Sequence, residues 1–282
     1  MKKYAIVEIK GGLGNQIFQL VFGDILKDNG FKVYYNLRFF NLVTKDPFSN
    51  TKRDSVLNNL NICIDEINII FLKSIELLNY LINSKTIKKL FPFINNKFFK
   101  FFKERDFDFD KPFAKINYFE GYWQNPKYLK SKSDFLNKIL NTDSIKSNIK
   151  TNNLVMVHVR RGDYLDLGIN LPITYYQKSF ELLEEKIGKF NYDIFTDDKP
   201  WVSKQKLFDN SNNIIDDKKN AFDTFVDMMQ YKHFIIANST YSYLAAFTKK
   251  DNDSHVLMPN VWIDNSKDNP ILNIDWLKVD FK

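Results

Sequence analysis

The sequence predicts an α/β fold made of two parallel units, and three observations carry that reading. The chain has 282 residues, enough for one large domain or two ordinary ones. Short apolar runs alternate with segments of helical period, the pattern of parallel strands joined by helical crossovers. A polar stretch at 141–153, rich in Asn, Ser, Thr and Lys, interrupts the alternation and reads as a linker. We therefore expect an N-terminal α/β domain over 1–148 and a C-terminal one over 149–282, facing each other across a cleft, with the last residues packing back on the N-terminal domain.

The N-terminal unit opens with an apolar strand at 4–9 that stops at Gly11-Gly12-Leu13-Gly14. A helix over 15–27 follows, with Ile17, Leu20, Val21 and Ile25 at helical spacing, and then a strand at 31–35 after Asn29-Gly30. A helix is expected at 65–82, followed by a basic, Phe-rich stretch; further helices are expected between 44 and 115. Residues 118–123 read as a strand and 127–140 as a helix. In the C-terminal unit, the buried strand 154–159 leads to an amphipathic helix at 172–187. Strands at 192–195, 214–215, 233–237 and 255–258 then alternate with helices at 201–208, 221–231 and 241–248. No internal repeat is found.

Composition narrows the function. Hydrophobic residues make up 44%, aromatics 16% and charged residues 27%, so a chain of this size buries about three quarters of its unfolded surface and is not disordered. Lys and Arg total 41 against 34 Asp and Glu, a net charge of +7, which suits nucleic acid, an anionic membrane face or a phosphorylated small molecule. Arginine occurs only at 38, 53, 105, 160 and 161, so the adjacent pair stands out. The single cysteine, Cys63, excludes an intramolecular disulfide and any cysteine-cluster metal site. The apolar run at the N-terminus is short and broken by Glu8 and Lys10, unlike a signal peptide. No stretch approaches the ~20 apolar residues that span a bilayer. A cytoplasmic protein, soluble or peripherally attached, is the expectation.

Four polar groups follow strands, and in an open α/β sheet ligands bind outside the carboxyl ends of the strands. In Gly11-Gly12-Leu13-Gly14-Asn15-Gln16, glycines let backbone N–H groups close on a phosphate, the helix start adds partial positive charge, and Asn15 and Gln16 offer side-chain donors. The segment matches neither the dinucleotide fingerprint nor a P-loop, and a plain tight turn is the alternative. In His158-Val159-Arg160-Arg161-Gly162-Asp163-Tyr164, two guanidiniums beside a glycine turn form a cradle for a diphosphate, provided the strand ends near Arg160. An ion pair of Arg160 or Arg161 with Asp163 is the structural alternative. Asp197 and Asp198, after Phe195-Thr196, can accept hydrogen bonds from a nucleobase or ribose, or cap a helix. Asn238-Ser239-Thr240-Tyr241-Ser242 offers small donors at a helix start, fit for an anion or for an N-cap. Together the four groups point to a nucleotide-diphosphate site.

GGLGNQ at 11–16, GYWQNPKY at 121–128, HVRRGDY at 158–164, FTDD at 195–198 and ANSTYSYLAA at 237–246 resemble, in order and spacing, the bacterial α-1,2-fucosyltransferases of glycosyltransferase family 11. The resemblance implies a GT-B-like fold of two Rossmann-like domains and an inverting transfer of L-fucose from GDP-β-L-fucose to O2 of a terminal galactose, with no metal and no other cofactor. It further implies that Arg160, Arg161 and His158 hold the GDP diphosphate while Asp163 fixes an arginine. Gly12, Gly14, Asn15 and Gln16 then face the phosphate and fucose across the cleft. Asp197, Asp198, Asn238, Ser239, Thr240, Tyr241 and Ser242 line the donor site, with Thr196 standing for the family's serine. Tyr243-Leu244 stands where many relatives carry two tryptophans, which leaves acceptor-side or packing details open. The acceptor expected from the family is a galactose-terminated oligosaccharide of an O-antigen-like surface glycan. Asp163 and Asp166 are candidates for the general base that inversion normally wants.

Residues 85–103 carry six lysines and no acid, interleaved with phenylalanines. They could lie on the inner membrane's anionic face, which would suit a lipid-linked acceptor; phenylalanines in the core and lysines in solvent are the alternative. Two rival functions remain: a metal-dependent GT-A-type transferase with Asp108-Phe109-Asp110 as its metal motif, and a basic nucleic-acid-binding protein.

Overall fold

A computed structural model describes residues 2–42, 54–74, 77, 98–141, 154–216, 221–249, 253–263 and 269–281. The first sheet contains β1 (Lys3–Glu8), β2 (Phe31–Asn36), β3 (Phe99–Lys103) and β4 (Ile116–Glu120), in the order β2-β1-β4-β3, every neighbour parallel. Helix α1 (Leu13–Asp28) connects β1 to β2, and α2 (Arg38–Leu42) follows β2. The second sheet contains β5 (Leu154–Val159), β6 (Asn191–Thr196), β7 (Asn213–Asp216), β8 (His233–Ile235), β9 (Val256–Pro259) and β10 (Leu277–Val279), again all parallel, in the order β10-β9-β8-β5-β6-β7. That is the order 3-2-1-4-5-6 of a dinucleotide-binding fold. The expected α/β class and its two Rossmann-like units are present.

Further helices among the described residues are α3 (Pro126–Ser131), α4 (Ser133–Leu140), α5 (Gly162–Asp166), α6 (Ile173–Ile187), α7 (Lys199–Val202), α8 (Ala221–Met228) and α9 (Thr240–Lys249). One apolar core runs through both sheets: it takes Val7 of β1, Phe18 of α1 and Phe119 of β4 together with Phe195 of β6, Tyr243 of α9 and Met258 of β9. A second core, with Val157 and Tyr175, covers the other face of the second sheet. A third, with Ile6, Leu72 and Tyr118, covers the other face of the first.

Several expectations are corrected. Residues 65–67 are extended rather than helical: Tyr35 N donates to Asp65 O at 2.9 Å, Ile67 N donates to Tyr35 O at 2.9 Å, and helix begins only at 69. The expected helix at 127–140 is two helices, broken at Lys132 (φ −126°, ψ 32°), whose ammonium is 2.8 Å from Asp24 of α1. The expected helix at 201–208 starts earlier, where Asp198 caps α7, and ends in a separate 3-10 turn at Lys206–Phe208. The final strand, β10, which no sequence period announces, pairs with β9. Of the Phe-rich segment, 85–97 lies outside the described residues, and Phe99 and Phe102 are buried in β3. Residues 142–153 of the expected linker also lie outside them. No helix among the described residues is long and apolar enough to cross a membrane.

Candidate functional site

The second sheet's connections run from β5 toward β7 on one side and from β8 toward β10 on the other, so the loops after β5 and β8 flank the switch point at the carboxyl end, where sheets of this order bind ligands. Those loops carry Arg160–Asp163 and Asn238–Ser242. In the first sheet, β1 and β4 are neighbours, and the loops after them carry 11–16 and 121–125.

In the loop after β1, Gly11 has φ +79°, the left-handed region that favours glycine. Gly12 caps α1, and a β carbon added there would meet nothing within 4 Å, so the backbone is open to a ligand. Gly14 is not open: an added β carbon would lie 2.6 Å from the carbonyl carbon of Thr240. It lets the starts of α1 and α9 touch, bringing two positive helix ends together. Asn15 joins the halves directly, its Oδ1 accepting from Gln124 Nε2 at 2.8 Å and from Thr240 Oγ1 at 3.0 Å. Gln16 does not face the cleft. It is fully buried; Nε2 donates to Gly11 O and Asp54 O, and Oε1 accepts from Val56 N, so its amide fastens the segment at 54–56 to α1.

The strand before the arginines ends at Val159, which frees Arg160 and Arg161 from the alternation of β5. Both are held by carboxylates. Arg160 Nη2 lies 2.6 Å from Asp163 and Nη1 2.9 Å from Asp197. Arg161 Nε donates to Asp198 at 3.1 Å, and its guanidinium lies 3.8 Å from the centre of the Trp201 ring. Asp197 Oδ1 also accepts from Arg161 N at 2.7 Å. A β carbon at 162 would stand 2.5 Å from Asp197 Oδ2, which explains the glycine there. Asp198 also caps α7 by accepting from Trp201 N. The ion pair of Arg160 with Asp163, the structural alternative to a diphosphate cradle, therefore exists, and carboxylates orient both guanidiniums.

His158 is fully buried, with Nδ1 2.8 Å from Ser242 Oγ and its carbonyl accepting from Tyr176 OH at 3.2 Å. Burial pushes the Tyr176 hydroxyl well above the ordinary phenol range, with the Asp197 charge adding to it. His158 thus ties β5 to α9 instead of reaching the surface. Asn238 Nδ2 donates to Ile169 O at 2.9 Å, and its carbonyl accepts from Tyr164 OH at 3.3 Å. Ser239 Oγ accepts from Tyr241 N at 3.4 Å as a helix cap, while the Tyr241 hydroxyl donates to Ala221 O at 2.5 Å. Of this group, Thr240 meets the N-terminal half. Tyr243 and Leu244 are fully buried, and Tyr243 lies against Trp276 at 4.6 Å, so the departure from a tryptophan pair is a matter of packing.

The family model described as Glycosyl transferase family 11 matches residues 5–280. The chain belongs to glycosyl transferase family 11. Two relatives come from Escherichia coli. The alpha-1,2-colitosyltransferase is 27% identical over 295 residues, covering 93% of this chain and 93% of the relative. The O-antigen biosynthesis glycosyltransferase WbnK is 26% identical over 311 residues, covering 96% and 99%. Among solved structures, the chain is similar to the fucosyltransferase NodZ from Bradyrhizobium, at 13% identity and a TM-score of 0.41, covering 87% of this chain and 92% of that one.

Within this family 11 chain, Asp108 and Asp110 are exposed in a turn, with Asp110 N donating to Asp108 Oδ1 at 3.1 Å. No group of three or more His, Cys, Asp or Glu among the described residues is placed to hold a metal ion. Two residues that belong to the site's frame escaped the motif reading: Trp201, under Arg161, and Glu104, which bonds the loop after β4.

Proposed function

We propose that the protein is an inverting fucosyltransferase that moves L-fucose from GDP-β-L-fucose to O2 of a galactose at the end of an oligosaccharide acceptor, in the building of a bacterial O-antigen-like glycan. The observation that carries this reading is the contact between the start of α1, which bears the open Gly12 turn, and the start of α9, which the His158–Ser242 bond ties to β5, the strand that ends just before Arg160 and Arg161. Glycosyl transfer develops an oxocarbenium-like sugar while negative charge grows on the departing diphosphate. Fixed cations and helix ends at that phosphate stabilise the transition state more than the ground state, with no metal needed. In this reading the C-terminal domain, 149–282, binds the donor, and the N-terminal domain, 1–148, faces the acceptor. Asp163 is a poor general base, because its side chain is 4% exposed and paired to Arg160; Asp166, exposed on α5, is the better placed of the two.

The colitosyltransferase relative supports a second sugar. Colitose lacks the 3-hydroxyl of fucose, so the two donors share the diphosphate chemistry argued above. The acceptor is lipid-linked in our reading, with a peripheral contact of 85–103 on the cytoplasmic face of the inner membrane, although Phe99 and Phe102 of that stretch are buried in the sheet. Co-sedimentation with anionic vesicles tests that contact, and a protein that stays in the supernatant would remove it.

The deciding experiment incubates the protein with GDP-fucose or its colitose counterpart, with and without EDTA, against a panel of β-galactosides, reading released GDP and the product linkage by NMR. Chelator-insensitive transfer to O2 of galactose is expected. No GDP release, together with no calorimetric binding of GDP, would overturn the reading, and salt-sensitive oligonucleotide binding without GDP competition would favour the nucleic-acid alternative.

A further inference from the structure

Glu104 lies in the 3-10 turn (Glu104–Asp106) that follows β3, outside every motif named above. Its carboxylate accepts two backbone hydrogen bonds from the loop after β4: Tyr122 N reaches Oε2 at 2.7 Å and Gln124 N reaches Oε1 at 2.9 Å. Between those two donors sits Trp123 at φ +57°, a left-handed conformation that is costly for a bulky residue and persists only where its surroundings enforce it. The Trp123 ring is buried and stacked on Phe22 of α1, 3.7 Å between ring centres and 1° between planes. A β carbon at Gly121 would stand 2.5 Å from Cβ of Glu104, so the turn and the loop are in direct contact.

The held loop delivers the Gln124 side chain, and Gln124 Nε2 donates to Asn15 Oδ1 at 2.8 Å. Thr240 Oγ1 supplies a second donor to the same oxygen at 3.0 Å. With its oxygen bonded on two sides, the carboxamide turns its NH2 toward the glycine loop, where a β carbon at Gly11 would lie 2.7 Å from Nδ2. Both partners of that oxygen come from outside α1, one from each half of the chain.

We propose that Glu104 is a positioning residue for glycosyl transfer: it holds the strained 121–125 loop so that Gln124, together with Thr240, aims the Asn15 amide at the donor phosphates over the Gly11-Gly12 turn. The inference rests on the proposed function, in which Asn15 meets the donor. Catalytic groups misplaced by about an ångström lose up to ~100-fold in rate, which sets the size of the effect.

The test is steady-state kinetics with GDP-fucose, alongside calorimetric GDP binding, on Glu104→Ala, Glu104→Gln and Gln124→Ala, each alone and combined with Asn15→Ala. Glu104→Ala and Gln124→Ala should each lower kcat by roughly 10- to 100-fold, with the acceptor KM little changed. Glu104→Gln, which keeps one acceptor oxygen, should recover part of the loss. In the Asn15→Ala background both effects should shrink to less than about twofold, the non-additivity of residues acting as one unit. A purely structural role would instead multiply with Asn15→Ala. Should Glu104→Ala fail to fold, Gln124→Ala carries the test, since it removes the side-chain link and leaves the backbone bonds. Wild-type turnover in Gln124→Ala, or full multiplicativity with Asn15→Ala, overturns the relay while GDP binding leaves the proposed function standing. A wild-type protein that neither binds GDP nor transfers overturns both.

Discussion

Gly14, in the first turn of α1, touches the backbone of Thr240 at the start of α9, so closely that an added β carbon would be 2.7 Å from the Thr240 carbonyl oxygen. The obstacle is backbone and cannot swing aside, so Gly14→Ala must push the two helix starts apart. We expect a loss of about 1–3 kcal/mol in stability and weaker GDP binding from the separated helix ends. Thermal denaturation and GDP calorimetry on the same variant check this; unchanged values in both would mean that the contact yields at no cost.

If the proposed function holds, Arg160→Ala removes one arm of a phosphate cradle; in the fold it takes away the guanidinium that bridges Asp163 and Asp197, whose side chains are only 4% and 1% exposed. Turnover should fall by ~100- to 1000-fold, the cost of losing one oriented group at a developing negative charge. Stability should fall as well, by about 3 kcal/mol for a broken buried ion pair. Arg160→Lys keeps the charge without the fork, so it should restore stability more than kcat. A wild-type kcat in Arg160→Ala, measured at saturating donor, would remove Arg160 from the mechanism.

Gln16→Leu is expected to act on folding and not on substrate. The bonds to Gly11 O, Asp54 O and Val56 N disappear, and the buried Gly11 O is left unsatisfied at about 1–3 kcal/mol. Urea unfolding should show the loss while the donor KM of the folded fraction stays near wild type. A large rise in donor KM at unchanged stability would return Gln16 to the substrate side.

The pH response should come from the far end of the second sheet. His255 stacks on His233 at 5.4 Å, and its pKa is lowered by burial and then by Lys186 and Lys232, with Asp253 opposing. A histidine whose folded pKa lies below its unfolded value binds a proton more readily when unfolded. Its contribution to stability is therefore complete above the ordinary value of 6.5 and is lost as pH falls through the folded pKa. Urea midpoints should drop further between about pH 7.5 and pH 5.5 in the wild type than in His255→Gln; parallel curves for the two proteins would refute the assignment.

Where a stretch of sequence answered to a single periodic environment, it was legible. β5 and α6 were, because an unbroken apolar run and an amphipathic period each have one solution, and the motif residues fell at the strand ends where the α/β pattern places them. Contacts between distant segments were not. Gln16 looks like a ligand donor until Asp54, 38 residues away, takes its amide, and Glu104 looks like a surface acid until Tyr122, 18 residues away, meets it. The break at Lys132 carries no glycine or proline to announce it, and β10 is three residues long, too short for an alternation to register.

Phe18 of α1 and Tyr243 of α9 sit 6.1 Å apart in an apolar core that neither sheet closes by itself. Each half is therefore an unfinished globule, and this bears on engineering. Recombining the first half of one transferase with the second half of another would oppose two greasy surfaces that were never fitted to each other. A chimera with a chance of folding has to inherit α1 and α9 from the same parent, even when the crossover is placed far from both.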